Sequence, residues 1–449
     1  MDPPEIFSTR AIAAILVGTL VLRTGSAIAG GMIQFYFGYI DKSIYPLSNT
    51  MRGVALALFF VPELIGAPVL GAWSDRYGRK LFIQLAALCG MAGTIITGLT
   101  TNFALIIVMR LLSGLSTASQ FPATLGYLSA ITVDSESLRG RVMGLFEAVT
   151  LAGTIVGIFL SGQLWDRFGQ NGFFIAGSIY GASFLIFAIG IVEAKRKRKF
   201  TIPLISSDGA GRKALARSFA YYRDVLLEPA VLRFAPAWLA INMVLGIWMN
   251  HSIGMLISPR LPVDRFANQA LYGILSNSAR AGYEVSTYGA LLIGVFGVGV
   301  VIWSFVLARW RRTSLMLVSL GALFALTAIL FTLNHSGLST PAIPLYLALA
   351  VAAFFVLSGA MPAALTYLAD VTEVRSHDRG AIMGEYTILL GVGGFLGTLI
   401  GGPIADRAAI DGILAITVVL GIAAMIALVQ LHRFEINTPA QAHAIPSEE

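Results

Sequence analysis

Twelve stretches of mainly apolar residues run along the chain, at roughly 11–33, 50–72, 81–99, 103–128, 140–164, 172–192, 232–257, 286–308, 313–333, 342–368, 380–404 and 410–431. A hydrocarbon layer of about 30 Å is crossed by roughly 20 residues of α-helix. Inside that layer each backbone N–H and C=O must be paired within its own segment, which leaves helices as the reading for runs of this length. Charged residues make up 12% of the chain, about half the roughly 25% usual for soluble domains. The sequence is therefore that of an all-α polytopic membrane protein with twelve transmembrane helices.

The net charge of +7 would admit nucleic acid as a partner, but the placement of the basic residues argues against it. With the N-terminus in the cytoplasm, 22 of the 31 Lys and Arg fall on cytoplasmic segments, 7 on outer ones, and 2, Arg23 and Arg110, inside helices. The bias predicts an N-in/C-in topology. The run Lys195-Arg196-Lys197-Arg198-Lys199 follows the sixth stretch and reads as a stop-transfer anchor facing anionic lipid. The expected partners are thus the bilayer and small molecules, not nucleic acid, and the expected state is a monomer.

The single cysteine, Cys89, lies in the third stretch, so no intramolecular disulfide can form, and the five histidines show no metal-ligand spacing. Neither a nucleotide-binding Gly loop, nor HExxH, nor a Ser nucleophile elbow with a companion His is present. No enzyme, cofactor or metal site is expected. "AIA" before Gly30 resembles a signal-peptidase site, yet Asp2 and Glu5 acidify the leading segment, and cleavage would leave an odd number of spans. The first stretch is read as a retained span.

Sliding the chain against itself by 240 residues gives an ungapped match over 122–167. Pro122 falls on Pro362, Tyr127-Leu128 on Tyr367-Leu368, Arg139-Gly140 on Arg379-Gly380 and Asp166-Arg167 on Asp406-Arg407. Gly144, Gly153, Gly157 and Gly162 fall on Gly384, Gly393, Gly397 and Gly402. Shared apolar composition does not align two Arg-Gly and two Asp-Arg pairs, so the chain is a duplication of six spans. The expected division is a six-helix bundle over 1–192, a basic linker over 193–231, a second six-helix bundle over 232–431 and a tail over 432–449. Halves with an even number of spans run in the same direction, and a binding cavity between them at mid-membrane is the expectation.

The decapeptide "GAWSDRYGRK", residues 71–80, sits between the second and third spans as a tight loop. Its defining positions, Gly71, Asp75, Arg76, Gly78, Arg79 and Lys80, resemble the signature loop of the major facilitator superfamily. The resemblance extends over the twelve spans, the repeated halves and the long central loop. It implies that Asp75 acts as a conformational latch against the start of span eleven, near Arg379, with Arg139 at the equivalent place in the first half. The corresponding second-half loop, Arg309-Trp310-Arg311-Arg312, lacks the acid.

Two further patterns of that family are present in part. Arg110-x-x-Ser113-Gly114 resembles the span-four pattern whose Arg is linked to proton transfer, with Ser113 in place of a Gln. Gly144, Gly153, Gly157 and Gly162 keep the spacing of the span-five antiporter pattern, although Ile158 stands where a proline is usual and Ser161 where a glycine is. With Gly393, Gly397 and Gly402 these glycines are expected to let helices pack closely.

Ionisable residues at membrane depth are functional candidates. Arg23, Glu63 and Arg110 are the candidates for proton coupling, with a static Arg23–Glu63 ion pair as the alternative. Glu147 and Glu385 lie nearer the inner surface and are expected to anchor to Arg141 or the latch. The resemblance places substrate contacts on spans one, four, seven and ten, which carry Gln34, Tyr36, Gln120, Trp238, Asn242, Trp248, Asn250 and Tyr367. Polar groups mixed with aromatic rings suit an amphipathic ligand. The leading expectation is a proton-driven exporter of small amphipathic organic molecules in a cell (inner) membrane; uptake of a metabolite and a membrane-embedded sensor are the alternatives. The outer segment 258–285 is too long for a tight turn and is expected to form a lid.

Overall fold

The computed structural model describes residues 4–132, 136–191, 229–258, 268–307, 309–336, 341–374 and 379–437. In the first half these are α1 (Pro4–Ser43), α2 (Asn49–Ala57), α3 (Phe60–Tyr77), α4 (Arg79–Leu99), α5 (Phe103–Ile131), α6 (Glu136–Phe168) and α7 (Gly172–Gly190). The second half holds α8 (Pro229–Ile257), α9 (Ala281–Val306), α10 (Arg312–His335), α11 (Ile343–Leu357), α12 (Ala360–Val374) and α13 (Arg379–Asn437). Each apolar run of the sequence falls on one or two of these helices, and no strand occurs among the described residues. The stretches Leu138–Gly190, of 53 residues, and Ile388–Ile436, of 49, are each long enough for two crossings. The first turns at Gly169, with φ 52°, and the second at Ala409, with φ 48° and ψ −130°.

Spans two and ten are each broken in mid-course, at 58–59 and at 358–359. Pro62 and Pro362 explain the breaks. A proline ring clashes with the carbonyl four residues earlier and supplies no N–H for it, which here are the carbonyls of Leu58 and Ser358. Pro122 lies inside the 29-residue α5 without interrupting it, and Asn102 caps that helix, its side chain accepting from Leu105 N.

Among the described residues the buried apolar side chains form four clusters, and none of these crosses between the halves. Two draw only on residues between Ala11 and Ile191, and two only on residues between Val231 and Leu431. Within each half the repeat glycines bring the same helices together. Gly153 and Gly157 lie against the backbone of α1, at Leu20 and Thr24, and Gly393 and Gly397 lie against α8, at Leu239 and Met243. Gly162 and Gly402 do something else: they join the halves, Gly162 against Gly282 of α9 and Gly402 against Asn49 of α2. The expectation for Gly144 is corrected, since a side chain there would meet nothing within 4 Å; it faces open space and packs no helix.

The segment between α8 and α9, described from residue 268 onward, folds over the ends of second-half helices, away from the charged loop. Ala270 N donates to the Asn334 carbonyl at 2.7 Å, and Gly273 N to that of Met255 at 2.8 Å. The Gln269 side chain fills the reversal of α13, accepting from Ile410 N at 2.9 Å and donating to the Ala408 carbonyl at 3.0 Å. It thereby satisfies groups that the buried turn at Ala409 leaves free. Ala409 holds a backbone conformation suited to glycine. Ala409→Gly is expected to stabilise the fold by about 1 kcal/mol, and Gln269→Ala to destabilise it, both read from detergent melting curves.

Candidate functional site

The charged loop has two parts with different jobs. Gly78, with φ 109° and ψ 128°, links α3 directly to α4 in a conformation that L-residues rarely adopt. From the start of α4, Arg79 donates to the Gly126 carbonyl of α5 at 2.5 Å, and Lys80 Nζ to the Ala188 carbonyl in the last turn of α7 at 2.8 Å. Cations at carbonyl ends of helices are favoured by the helix dipole. These two basic residues therefore tie spans three, four and six into one body. Arg76 is exposed and lies over the Tyr77 ring, 5.0 Å from its centre. Gly71 packs against Pro122, 3.1 Å from where its Cβ would sit. Arg139 stands half-buried early in α6. The side chains of Asp75, Arg379 and Glu385 lie outside the described residues. Gly78→Ala is expected to cost about 1 kcal/mol in melting experiments, because the turn cannot be kept without strain.

Deeper in the membrane, the break in span two organises a charged cluster. Gly114 of α5 lies so close to the Phe59 carbonyl that any side chain there would overlap it. The contact seats the break against α5 and sets Glu63 in the first turn of α3. Arg110, one turn before Gly114, lies over the Phe59 ring, 4.9 Å from its centre. Arg23 of α1 lies over the Phe121 ring at 4.1 Å, within electrostatic range of Glu63, Tyr180 and Glu147. Tyr180 of α7 is also within range of Arg110. The structure thus sets Arg23 within range of Glu63 and brings Arg23 and Arg110 together at Tyr180, a residue the sequence reading missed. No ion pair within 4.0 Å joins Arg23 to Glu63, and two of the Arg23 guanidinium nitrogens are buried without a hydrogen-bond partner. The static pair is not the arrangement seen. Glu147 is exposed on α6 and makes no ion pair with Arg141.

The eight residues expected to share one substrate cavity are dispersed, and that expectation is corrected here. Tyr36 is fully buried inside the first half, donating to the Thr100 carbonyl at 2.7 Å and packed edge-on to Phe173. Trp238 and Tyr367 stack on Phe234 within the second-half core. Asn242 donates to its own helix at the Trp238 carbonyl, and Trp248 Nε1 donates to Thr417 at 2.9 Å. Gln120 is fully buried, and neither end of its amide has a partner. Gln34 and Asn250 lie together in the seam between the halves. Gln34 donates across it to the Met249 carbonyl at 3.0 Å, and Asn250 donates to Thr398 at 2.9 Å.

That seam is polar. Arg52, 4% exposed, pairs with Asp41 at 2.6 Å and reaches across the halves to Ser258 at 3.1 Å. His251 contacts the Thr398 carbonyl at 2.8 Å. These hydrogen bonds gather at the end of the molecule away from the charged loop. Between α6, α9 and α11 lies a wholly different space, an apolar crevice of about 610 Å³ lined by Ile155, Phe159, Leu291, Val295 and Phe355.

The two repeats, the depth of the charges and the polar seam define a polytopic helical membrane protein built from two bodies that meet without a common core. Residues 15–342 and 265–448 match the family model described as Major Facilitator Superfamily, and the chain belongs to that family. Multidrug resistance protein 2 of Bacillus subtilis (strain 168) is 34% identical over 136 residues, 30% of this chain and 34% of that protein. The arabinose-proton symporter of the same organism is 24% identical over 153 residues, 32% of each chain. The chain spans about a third of the length of these curated relatives. A crystal structure of a bacterial homolog of the human lysosomal transporter Spinster, inward-facing and unoccupied, superposes with a TM-score of 0.69. It is 14% identical, and the match covers 99% of this chain and 100% of that one.

Proposed function

We propose that the protein is a secondary transporter that exports small amphipathic organic molecules in exchange for protons, the two six-helix bodies alternating around a central site. The observation that carries the coupling is Glu63, a carboxyl set at the mid-span break of span two, within range of Arg23 but not paired to it. Burial favours the neutral form of a carboxyl and a nearby Arg the charged one, so a small change in their separation between states would bind and release a proton. The distribution of basic residues favours a charged loop on the cytoplasmic side.

Similarity to a multidrug resistance protein favours export, and similarity to an arabinose-proton symporter favours uptake of a sugar as the second reading. Gln120, a buried amide with no hydrogen-bond partner among the described residues, suits a hydrogen-bonding ligand in either case. Everted vesicles with an acid interior separate the two. An exported compound exchanged for protons makes the interior more alkaline, whereas a compound entering together with protons makes it more acid. A screen in which no compound moves the interior pH in either direction would sink proton coupling.

A further inference from the structure

The aspartates of the two repeated Asp-Arg pairs, Asp166 and Asp406, do the same thing on opposite flanks of the seam. Asp406, near the end of the first leg of α13, accepts from Asn49 N at 2.7 Å, from Thr50 N at 2.9 Å and from the Thr50 hydroxyl at 2.5 Å. Asn49 and Thr50 are the first two residues of α2, in the other half. Asp166, in the last turn of α6, accepts from Gly282 N at 3.0 Å and Tyr283 N at 2.7 Å. These are the second and third residues of α9, again in the other half. One turn before each aspartate stands the glycine, Gly162 or Gly402, whose missing side chain lets the two helices touch.

The first N–H groups of a helix have no partner within it and carry its positive end. A carboxylate that accepts from two of them makes charge-assisted bonds, stronger than neutral ones. An aspartate in the last turn of its own helix is disfavoured by that helix's dipole, so Asp166 is explained by its partner and not by α6. Among the described residues no buried apolar cluster crosses the seam, and directional contacts such as these join the halves at this end. Hydrogen bonds of this kind can exchange for bonds to water.

We propose that Asp166 and Asp406 are a pair of repeat-related clasps that hold the end away from the charged loop shut, and that opening this end requires both to release. The proposal rests on the alternating-access reading.

The test uses the full-length chain in liposomes with Cys89→Ser and a single reporter, Gln34→Cys, in the seam, probed with a membrane-impermeant maleimide. A second reporter, Trp73→Cys, lies at the charged loop, where Trp73 is 41% exposed. Slow labelling of position 34 is expected without further change. Asp166→Asn and Asp406→Asn should each speed it roughly fivefold, and together roughly twenty-fivefold, as for independent sites. Asn49→Pro removes a donor from the far side of one clasp. Proline is favoured at the first position of a helix, and Ser48 already holds the extended backbone a following proline needs, so this variant folds and should also speed labelling. Unchanged labelling at position 34 in all variants, with a measurable wild-type rate, overturns the clasps alone. An equal rise at position 73 overturns them too, because it reports general loosening. A position 34 that never labels in any variant overturns the alternating-access reading and the clasps with it.

Discussion

Membrane vesicles carrying Glu63→Gln are expected to lose substrate-driven proton movement by at least about tenfold, while substrate binding to the purified variant stays measurable. The amide fills the same space as the carboxyl and can still hydrogen-bond, but it cannot exchange a proton. A carboxyl at membrane depth is costly, and Arg23, whose charge reaches Glu63, lies over the Phe121 ring and forms no ion pair with that carboxyl. Binding and proton coupling are therefore expected to separate in this variant. A Glu63→Gln protein that moves protons at the wild-type rate would falsify the role given to Glu63 and return it to a structural one.

Gly114→Val is expected to remove transport altogether and to lower stability by roughly 1–3 kcal/mol, the cost of overpacking. The added side chain would overlap the Phe59 carbonyl, a backbone atom that cannot turn aside as a side chain can. Phe59 sits at the break that places Glu63, and its ring lies under Arg110, so one change moves three groups of the cluster. A compensating test follows from the same geometry. Ser113, one residue earlier, donates to the carbonyl of its own helix at Met109 and does not face the break; Ser113→Ala is expected to leave transport near normal. Equal damage from both substitutions would show that α5 is merely sensitive to change.

Much of the fold was legible because bilayer thickness imposes a length on each helix and duplication imposes a second reading of the same pattern. The breaks at 58–59 and 358–359 were also within reach, since Pro62 and Pro362 each stand four residues past a broken position. The clustering of Arg23, Glu63 and Arg110 could be anticipated from the rarity of charge at depth. Tyr180 could not, because a tyrosine in an apolar helix carries no sign of what it faces.

The substrate residues failed for the same reason. Trp238, Trp248 and Tyr367 have the composition of a binding wall, yet the structure uses them to pack helices of the second half. Residues in contact across the seam depend on which end is closed, and a sequence does not state that. Asp166 and Asp406 were visible as a repeated pair, but their partners are helix N-termini, which have no residue type of their own and become evident only when the halves are placed together.

The most direct test of proton-coupled exchange is accumulation by the purified protein in liposomes, using a compound that the vesicle screen identifies. With an acid interior and no other energy source, the compound should build up inside above its external concentration, and reversing the pH gradient should drive it out. Equilibration to the same level inside and outside, whichever way the gradient points, would contradict coupling and leave a passive carrier.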